Sequence, residues 1–211
     1  MNPKEKVYNL ISEQLTSGKL NRTDRITEQY LVDHLGISRT PIREALLQLS
    51  YEDILEHEPR KGFKLKSYSE RDVEELYELI GVLDGKIAQT ALPFLSEEDF
   101  SLMKFLIESM DSAIEHKLYT KYNELQEQFH NTYIQKCQNS LLAKEICNKK
   151  KIFIGKAYYR VDKDKIQDIL RITNQEHEII FQLLQDKKGA EVRHFLEITH
   201  WSKENSRYDI W

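Results

Sequence analysis

The helical periodicity of the last two thirds of the chain is the feature that most limits its fold. From about Glu70 onward, apolar residues recur at the spacing of one helix face, and residues that interrupt a helix, such as Pro93, Asn139 and Gly189, are rare. The 211 residues include seven Gly and four Pro, too few for a sandwich, a barrel or another loop-rich fold. We therefore predict an antiparallel six-helix bundle around one core. Its helices are expected at about residues 70–92, 96–117, 118–137, 140–161, 163–188 and 189–206.

The front of the chain follows another pattern, with three short helices and a hairpin. Apolar spacing predicts the first helix over about residues 4–17. Thr27 is placed to cap a second helix, and Gly36 to end it in a left-handed conformation. A third helix follows at once, with Pro41 in its first turn. Two short alternating segments around residues 59–62 predict a β-hairpin. The predicted order of the front is therefore helix, tight turn, helix and hairpin.

Charge is divided unevenly between these two parts. The net charge is −4, but residues 1–68 hold 11 Lys and Arg against 10 Asp and Glu, whereas the remainder holds 20 against 25. If the protein binds DNA, the front should therefore bind it, through a few well-placed basic side chains and not through bulk charge. No stretch has the length of a membrane span, and the amino terminus lacks an apolar signal region, so we expect a cytoplasmic protein without a membrane partner. Cys137 and Cys147 lack CxxC spacing and are expected to be reduced.

The third predicted helix carries the strongest candidate for a DNA-binding face. Its apolar residues form one stripe, and Arg39, Thr40 and Arg43 cluster about a third of a turn away from it. Arg can donate two hydrogen bonds to guanine in the major groove, and Thr can contact phosphate or a thymine methyl group. An ordinary solvated helix face is the alternative interpretation of this helix taken alone.

The predicted hairpin tip favours the DNA interpretation. Arg60 and Lys61 place two cations there, and Gly62 permits a close backbone approach. These are the residue types expected where a wing meets the minor groove or the flanking phosphates.

These segments together resemble a known family. The run SRTPIREAL at residues 38–46, with Leu35-Gly36-Ile37 before it and Arg60-Lys61-Gly62-Phe63 after it, is similar to the winged helix-turn-helix of the GntR family of bacterial transcription regulators. The resemblance covers residues 4 to about 66. It implies that the third helix lies in the major groove and that the hairpin is the wing. It implies base contacts for Arg39, Thr40 and Arg43, a position near the backbone for Gln29, and wing contacts for Lys61 and Gly62. With Ser38 and Arg60, these are the predicted DNA-binding residues.

The second part resembles, more loosely, the all-helical FCD domain of the FadR-like branch of that family. The similarity rests on the helix pattern and on the segments Gln128-Phe129-His130 and Glu176-His177-Glu178. It implies a domain that dimerises and binds a small carboxylate effector with the help of a divalent metal. We therefore divide this mostly α chain into a DNA-binding domain at 1–68 and an FCD-like effector-binding and dimerisation domain at 69–211.

The metal pattern of the FCD domain is only partly present. The pattern has an Asp four residues before the first His, that His, a second His, and a further His on the last helix. His130 and His177 match, but the Asp position is Gln126 and the last-helix position falls on Thr199. An amide and a hydroxyl oxygen are poor substitutes at zinc or nickel, so we expect weak metal binding. A one-residue shift of the last helix would return His200 to the cavity.

Three interpretations of the two matching histidines stay open: buried core residues, the lining of an effector pocket, or metal ligands. The arginine that FCD domains often carry on their first helix is absent near Ile80, and Lys156 or Arg160 is an alternative anchor for an anionic effector. Basic side chains at such positions also commonly extend past apolar surface to water. The predicted pocket consists of Gln126, His130, Tyr133, Lys156, His177 and Thr199.

These patterns predict a homodimeric, sequence-specific transcription regulator, a repressor, whose partners are double-stranded operator DNA and a small-molecule effector. The sequence lacks a glycine-rich phosphate loop, a nucleophile elbow and an HExxH motif, so no enzyme chemistry is predicted. Two alternatives stay open. One is a helical metalloenzyme or metal-binding protein that uses His130 and His177, with the front domain as an interaction module. The other is a helical domain that dimerises without binding a ligand.

Overall fold

The protein consists of two compact units in a computed structural model that describes residues 2–155 and 163–207. The first unit contains the chain up to Ser67 together with residues 151–155, and the second begins at Tyr68. The predicted boundary after residue 68 lies one residue from this division. Nothing in the sequence pattern predicts that residues 151–155 belong to the first unit. No helix in the described ranges is long and apolar enough to span a membrane.

Three helices and a two-stranded antiparallel sheet form the first unit. They are α1 (Pro3–Thr16), α2 (Glu28–Leu35), α3 (Arg39–Tyr51), β1 (Leu55–Glu58) and β2 (Gly62–Leu65). The Thr27 side chain accepts a hydrogen bond from the backbone N–H of Tyr30, and Gly36 ends α2 with a φ of 63°. The prediction of a winged helix-turn-helix is confirmed.

One apolar core joins the helices of the first unit to its hairpin. Val7 of α1, Leu31 of α2, Leu46 of α3 and Phe63 of β2 are all buried members of it. Ile154, which lies about 90 residues farther along the chain than Phe63, is 1% exposed and belongs to the same core. The first unit is therefore not a continuous stretch of sequence.

Residues 151–155 are held in the first unit by polar contacts as well. The Tyr8 hydroxyl donates a hydrogen bond to the Lys151 carbonyl at 3.0 Å, and Arg22 Nη1 donates one to the Ile154 carbonyl at 3.0 Å. Gly155 has a φ of 66°, and a Cβ there would lie 2.6 Å from the Cβ of Leu15. Both the conformation and the close contact require glycine at this position.

The described part of the second unit is helical throughout. Its elements are α4 (Glu70–Ala91), α5 (Glu97–Glu115), α6 (Tyr119–Ile134), α7 (Ser140–Lys150), α8 (Lys163–Gln185), α9 (Gly189–Phe195), a π-helix (Leu196–His200) and α10 (Lys203–Ser206). Ser69 and Ser96 cap α4 and α5 through reciprocal hydrogen bonds with Asp72 and Asp99. Helix α4 packs against α6, α7 and α9, and α5 packs against α6 and α8. The predicted mostly α fold is confirmed.

Two predicted helices differ from the observed ones. The helix expected at 140–161 ends at Lys150, because the residues that follow form a 3₁₀ turn and place Ile154 in the core of the first unit. Helix propensity is a weak preference, and tertiary burial of a side chain such as Ile154 can override it. The helix expected at 189–206 is divided, because the π-helix interrupts it.

Candidate functional site

Helix α3 presents the predicted DNA-binding side chains to solvent. Its apolar stripe between Ile42 and Leu49 is buried, and the opposite face is exposed. The exposed residues that were predicted to contact DNA are Gln29 on α2 and Ser38, Arg39, Thr40 and Arg43 at the start of α3. Arg39 donates a hydrogen bond to the Gln29 side chain, and Arg43 Nε lies 3.7 Å from a carboxylate oxygen of Glu28. Exposed contacts of this kind contribute little free energy, so both guanidinium groups can exchange them for a duplex.

The hairpin tip also carries exposed cations. Arg60 and Lys61 are exposed, and Lys61 Nζ lies 3.9 Å from a carboxylate oxygen of Glu58. Gly62 has a φ of 94°, and a Cβ there would lie 3.1 Å from the Ile26 carbonyl oxygen. Gly62 is therefore required by the close approach of the hairpin to Ile26, whatever it does toward DNA.

Three buried histidines from three different elements meet in the second unit. His130 lies on α6, His177 on α8 and His200 at the end of the π-helix, and we call this group the histidine site. The ring centroids are 5.3 Å apart for His130 and His177, 5.1 Å for His130 and His200, and 5.0 Å for His177 and His200. One ligand nitrogen from each ring lies within 4.8 Å of the other two.

The π-helix places Thr199 on the surface, so the prediction that Thr199 lines the pocket is wrong. The backbone N–H of Trp201 donates to the carbonyl of Leu196, five residues earlier, at 3.1 Å. This turn therefore holds one more residue than an α-helical turn, and the chain after it is rotated by about 100° from a regular helix. Thr199 is consequently exposed and His200 is buried. The last element contributes an imidazole to the site, so the set of histidines is larger than the sequence predicts.

Two glycines of α4 allow the last helices to approach closely. A Cβ at Gly85 would lie 2.8 Å from the Arg193 carbonyl oxygen, and one at Gly81 would lie 3.0 Å from the Cβ of Trp201. The side chain of Asp84, between the two glycines, is brought next to the Trp201 indole, whose Nε1 donates to Asp84 Oδ2 at 2.8 Å.

Asp84 is a member of the site that the sequence analysis missed. Its carboxylate is fully buried, accepts a hydrogen bond from the Tyr133 hydroxyl at 2.8 Å and lies 3.0 Å from His130 Nδ1. A signal for it was present, because Asp84 falls on the apolar face of α4 that also contains Ile80 and Ile87. A carboxylate on such a face needs buried polar partners. Tyr133, a predicted pocket residue, is one of those partners.

Helix α8 supplies hydrogen-bond acceptors to the other two histidines. His200 Nδ1 lies 2.8 Å from Glu176 Oε2, and His177 Nδ1 lies 3.4 Å from Asn174 Oδ1. The Asn174 amide nitrogen donates to Asp111 Oδ1 at 2.7 Å, which leaves its oxygen facing His177. Each ring of the histidine site therefore has its Nδ1 beside an oxygen.

Burial and charge determine the protonation of the most enclosed pair. Burial, aided by the positive charge of Lys150, lowers the pKa of His130 to about 3, although Asp84 acts in the opposite direction. Burial also opposes ionisation of Asp84, but His130, Lys150 and the hydrogen bond from Trp201 hold its pKa below the ordinary value. At neutral pH the site thus combines a neutral imidazole with an ionised carboxylate.

The three imidazoles fit a divalent cation of the zinc or nickel type. Neutral imidazole is a preferred ligand of both metals. The Nε2 atoms of His130 and His200 are 3.2 Å apart, close to the about 3.3 Å that separates two nitrogens at about 2.0–2.1 Å from one tetrahedral zinc. The expectation of weak metal binding depended on both Gln126 and Thr199, and the buried position of His200 removes the second of these two grounds.

The remaining predicted pocket residues contribute less. Gln126 is half-buried, and its amide nitrogen donates to Asn123 Oδ1 at 3.4 Å. Lys156 and Arg160 lie outside the described residues.

An open cavity of about 550 Å³ on the second unit shares no residue with the histidine site. Its lining is Lys86, Thr90, Gln138, Asn139, Ser140, Leu141 and Leu142.

Known families match both units of the chain. Residues 3–65 match "Bacterial regulatory proteins, gntR family", and residues 75–198 match "FCD domain". The HTH-type transcriptional regulator YdhC of Bacillus subtilis is 28% identical over 137 residues, which is 61% of this chain and 61% of that protein. The gluconate operon transcriptional repressor of the same organism is 23% identical over 201 residues, which is 94% of this chain and 82% of the repressor.

A solved structure shares the fold. Escherichia coli McbR/YncC superposes with a TM-score of 0.79 at 22% identity, over 93% of this chain and 92% of that chain. At this identity the likeness concerns the architecture of both proteins and not their ligands.

Proposed function

Because the chain belongs to the GntR family of bacterial transcription regulators and carries an FCD domain, we propose that it binds operator DNA through α3 and the hairpin of β1 and β2. The observation that carries this proposal is the polar face of α3, where Arg39, Thr40 and Arg43 are exposed opposite a fully buried apolar stripe. Two guanidinium groups on one exposed helix face suit base reading in the major groove. Arg60 and Lys61 at the hairpin tip suit contacts to the phosphates beside it.

The second unit is proposed to sense a small organic acid at the histidine site. His130, His177 and His200 would hold a divalent cation, which supplies a Lewis-acidic attachment point for a carboxylate when bound. Three protein ligands leave a coordination position for a ligand from solution. Lys150 adds positive charge near Asp84 and His130 and is the proposed anionic anchor among the described residues. Lys156 and Arg160, the possible anchors suggested by the sequence, lie outside those residues.

The proposal includes a homodimer that works as a repressor in the cytoplasm. One winged helix covers few base pairs, and a two-fold dimer reads both halves of a palindromic operator. Repression is supported by the relatives whose names describe gluconate operon repressors.

Selection from a pool of random-sequence DNA duplexes tests the DNA-binding proposal. The expected result is a palindromic consensus, bound by the full chain with measurable affinity at fixed salt. Arg39→Ala and Arg43→Ala should each lower the affinity for that consensus by about 1–3 kcal/mol, because each arginine is assigned to a base pair. Arg171→Ala is the control, since Arg171 is an exposed arginine of α8. Wild-type affinity in both α3 variants would reject the assignment of α3 as the recognition helix.

A further inference from the structure

Two carboxylates contact imidazoles of the histidine site without belonging to it. Asp84 of α4 lies 3.0 Å from His130 Nδ1, and Glu176 of α8 lies 2.8 Å from His200 Nδ1. The Asp84 side chain is fully buried, and that of Glu176 is 12% exposed. Their positions suggest that they act on the site through the two imidazoles.

The hydrogen bonds around Asp84 define which nitrogen of His130 carries the proton. The Tyr133 hydroxyl donates its single proton to Asp84 Oδ1 at 2.8 Å, and the same hydroxyl oxygen lies 2.6 Å from His130 Nδ1. His130 Nδ1 therefore contacts two oxygens, one from the Asp84 carboxylate and one from the Tyr133 hydroxyl. The hydroxyl proton is already donated to Asp84, so each oxygen can only accept a hydrogen bond from Nδ1. Nδ1 of His130 is therefore the donor, and Nε2 of the neutral ring carries the lone pair.

The same reasoning applies to His200. Its Nδ1 lies 2.8 Å from Glu176 Oε2, so Nδ1 is the ring nitrogen placed to donate a hydrogen bond to this carboxylate. Nε2 of His200 is then the nitrogen left to bind a cation, and it lies 3.2 Å from Nε2 of His130. A cation between these two Nε2 atoms would accept a lone pair from each of them.

We infer that Asp84 and Glu176 are positioning residues of the histidine site, each holding the Nδ1 proton of one imidazole so that both Nε2 atoms face a divalent cation. This inference rests on the metal site proposed above. A carboxylate beside a ligating imidazole also makes the ring a stronger donor. The two carboxylates are not ligands, but they place near the site the negative charge that the neutral amide of Gln126 does not supply.

Titration of the metal-free full chain with Zn²⁺ alone, in competition with a chromophoric chelator, tests the inference. Asp84→Asn and Glu176→Gln keep the shape of each side chain and remove its charge. Each should weaken zinc binding by about 10–100-fold, the usual effect of losing an outer partner of a ligating histidine. The absorption bands of bound Co²⁺ should keep their positions, because the three ligand nitrogens are unchanged.

A purely structural role gives a different result. It would lower the melting temperature of the metal-free variants and leave the zinc affinity of the folded protein at the wild-type value. Glu178→Gln is the matched control, because Glu178 is an exposed residue of α8. Glu176→Gln keeps the test valid if the buried Asp84→Asn variant fails to fold, since the Glu176 side chain is partly exposed.

Operator binding on the same preparations separates this inference from the proposed function. Wild-type zinc affinity in both variants, or a wild-type chain that binds no zinc, would overturn the inference and leave DNA binding through Arg39 and Arg43 untouched. Weaker zinc binding in both variants of a chain that selects no DNA consensus would support the inference and reject the DNA-binding proposal.

Discussion

The polar face of α3 and the histidine site differ in how much of the fold each one needs. Ser38, Arg39, Thr40 and Arg43 are near neighbours in sequence, and one helix with a buried stripe is enough to expose them together. The histidine site needs three side chains from α6, α8 and the π-helix, each fully or almost fully buried. Its Nδ1 atoms also need oxygens from further residues on α4 and α8.

This difference determines how each region tolerates change. A side chain on an exposed face can be replaced without strain, so its variants report on binding alone. A buried polar group is stable only while its hydrogen-bond partners remain. Loss of one partner leaves the group desolvated without a compensating hydrogen bond. Variants of the histidine site must therefore be chosen so that loss of ligand binding can be separated from loss of the fold.

The largest expected effect tests the register of the last helix. His200→Ala should abolish stoichiometric metal binding, a greater loss than the about 10–100-fold caused by removing an outer partner. Thr199→Ala should leave metal binding unchanged, because Thr199 is exposed. The metal content of protein purified without a histidine tag measures both. The reverse result, with metal lost only in Thr199→Ala, would mean that the last turn is a regular α-helix.

Local signals in the sequence predict the first unit well. Thr27 and Gly36 mark the ends of α2, because caps depend on the residue at one position and its immediate neighbours. The alternating residues around the hairpin likewise predict β1 and β2. These features need no knowledge of distant contacts.

The errors arise where distant contacts decide the structure. A helical wheel assumes a constant rotation per residue, and the π-helix before Trp201 breaks that assumption with no local residue signal. Packing of Gly81 and Gly85 against the last helices shapes this region, and it joins parts of the chain more than 100 residues apart. Asp84 could have been found, because a carboxylate on an apolar helix face is itself a signal.

A second experiment asks whether the first unit depends on residues that follow α7. Ile154→Ala should lower the free energy of unfolding of the first unit by about 2–5 kcal/mol, because Ile154 is a fully buried member of its core. Native-state hydrogen exchange of the α1 and α3 amides measures this unit separately. Ile172→Ala, at an α8 position that is 58% exposed, should change stability by about 0.5 kcal/mol or less. Unchanged protection of α1 and α3 in Ile154→Ala would show that the first unit ends at Ser67.

The smallest expected effect concerns the hairpin tip, which is the part of the first unit expected to bind DNA without reading bases. Glu58 has a lowered pKa because of its hydrogen bond and ion pair with Lys64 at 2.9 Å, whereas Lys61 lies farther from it at 3.9 Å. Lys61 is also mostly exposed, so its ammonium group is available to a phosphate.

Lys61→Ala should weaken operator binding equally for matched and mismatched sequences. It should also reduce the slope of log affinity against log salt by about one unit, as expected for one lost phosphate contact. Lys121→Ala, which removes an exposed lysine of α6, should leave the slope unchanged. A loss restricted to one operator base, with the wild-type salt slope, would place Lys61 among the base-reading residues with Arg39 and Arg43.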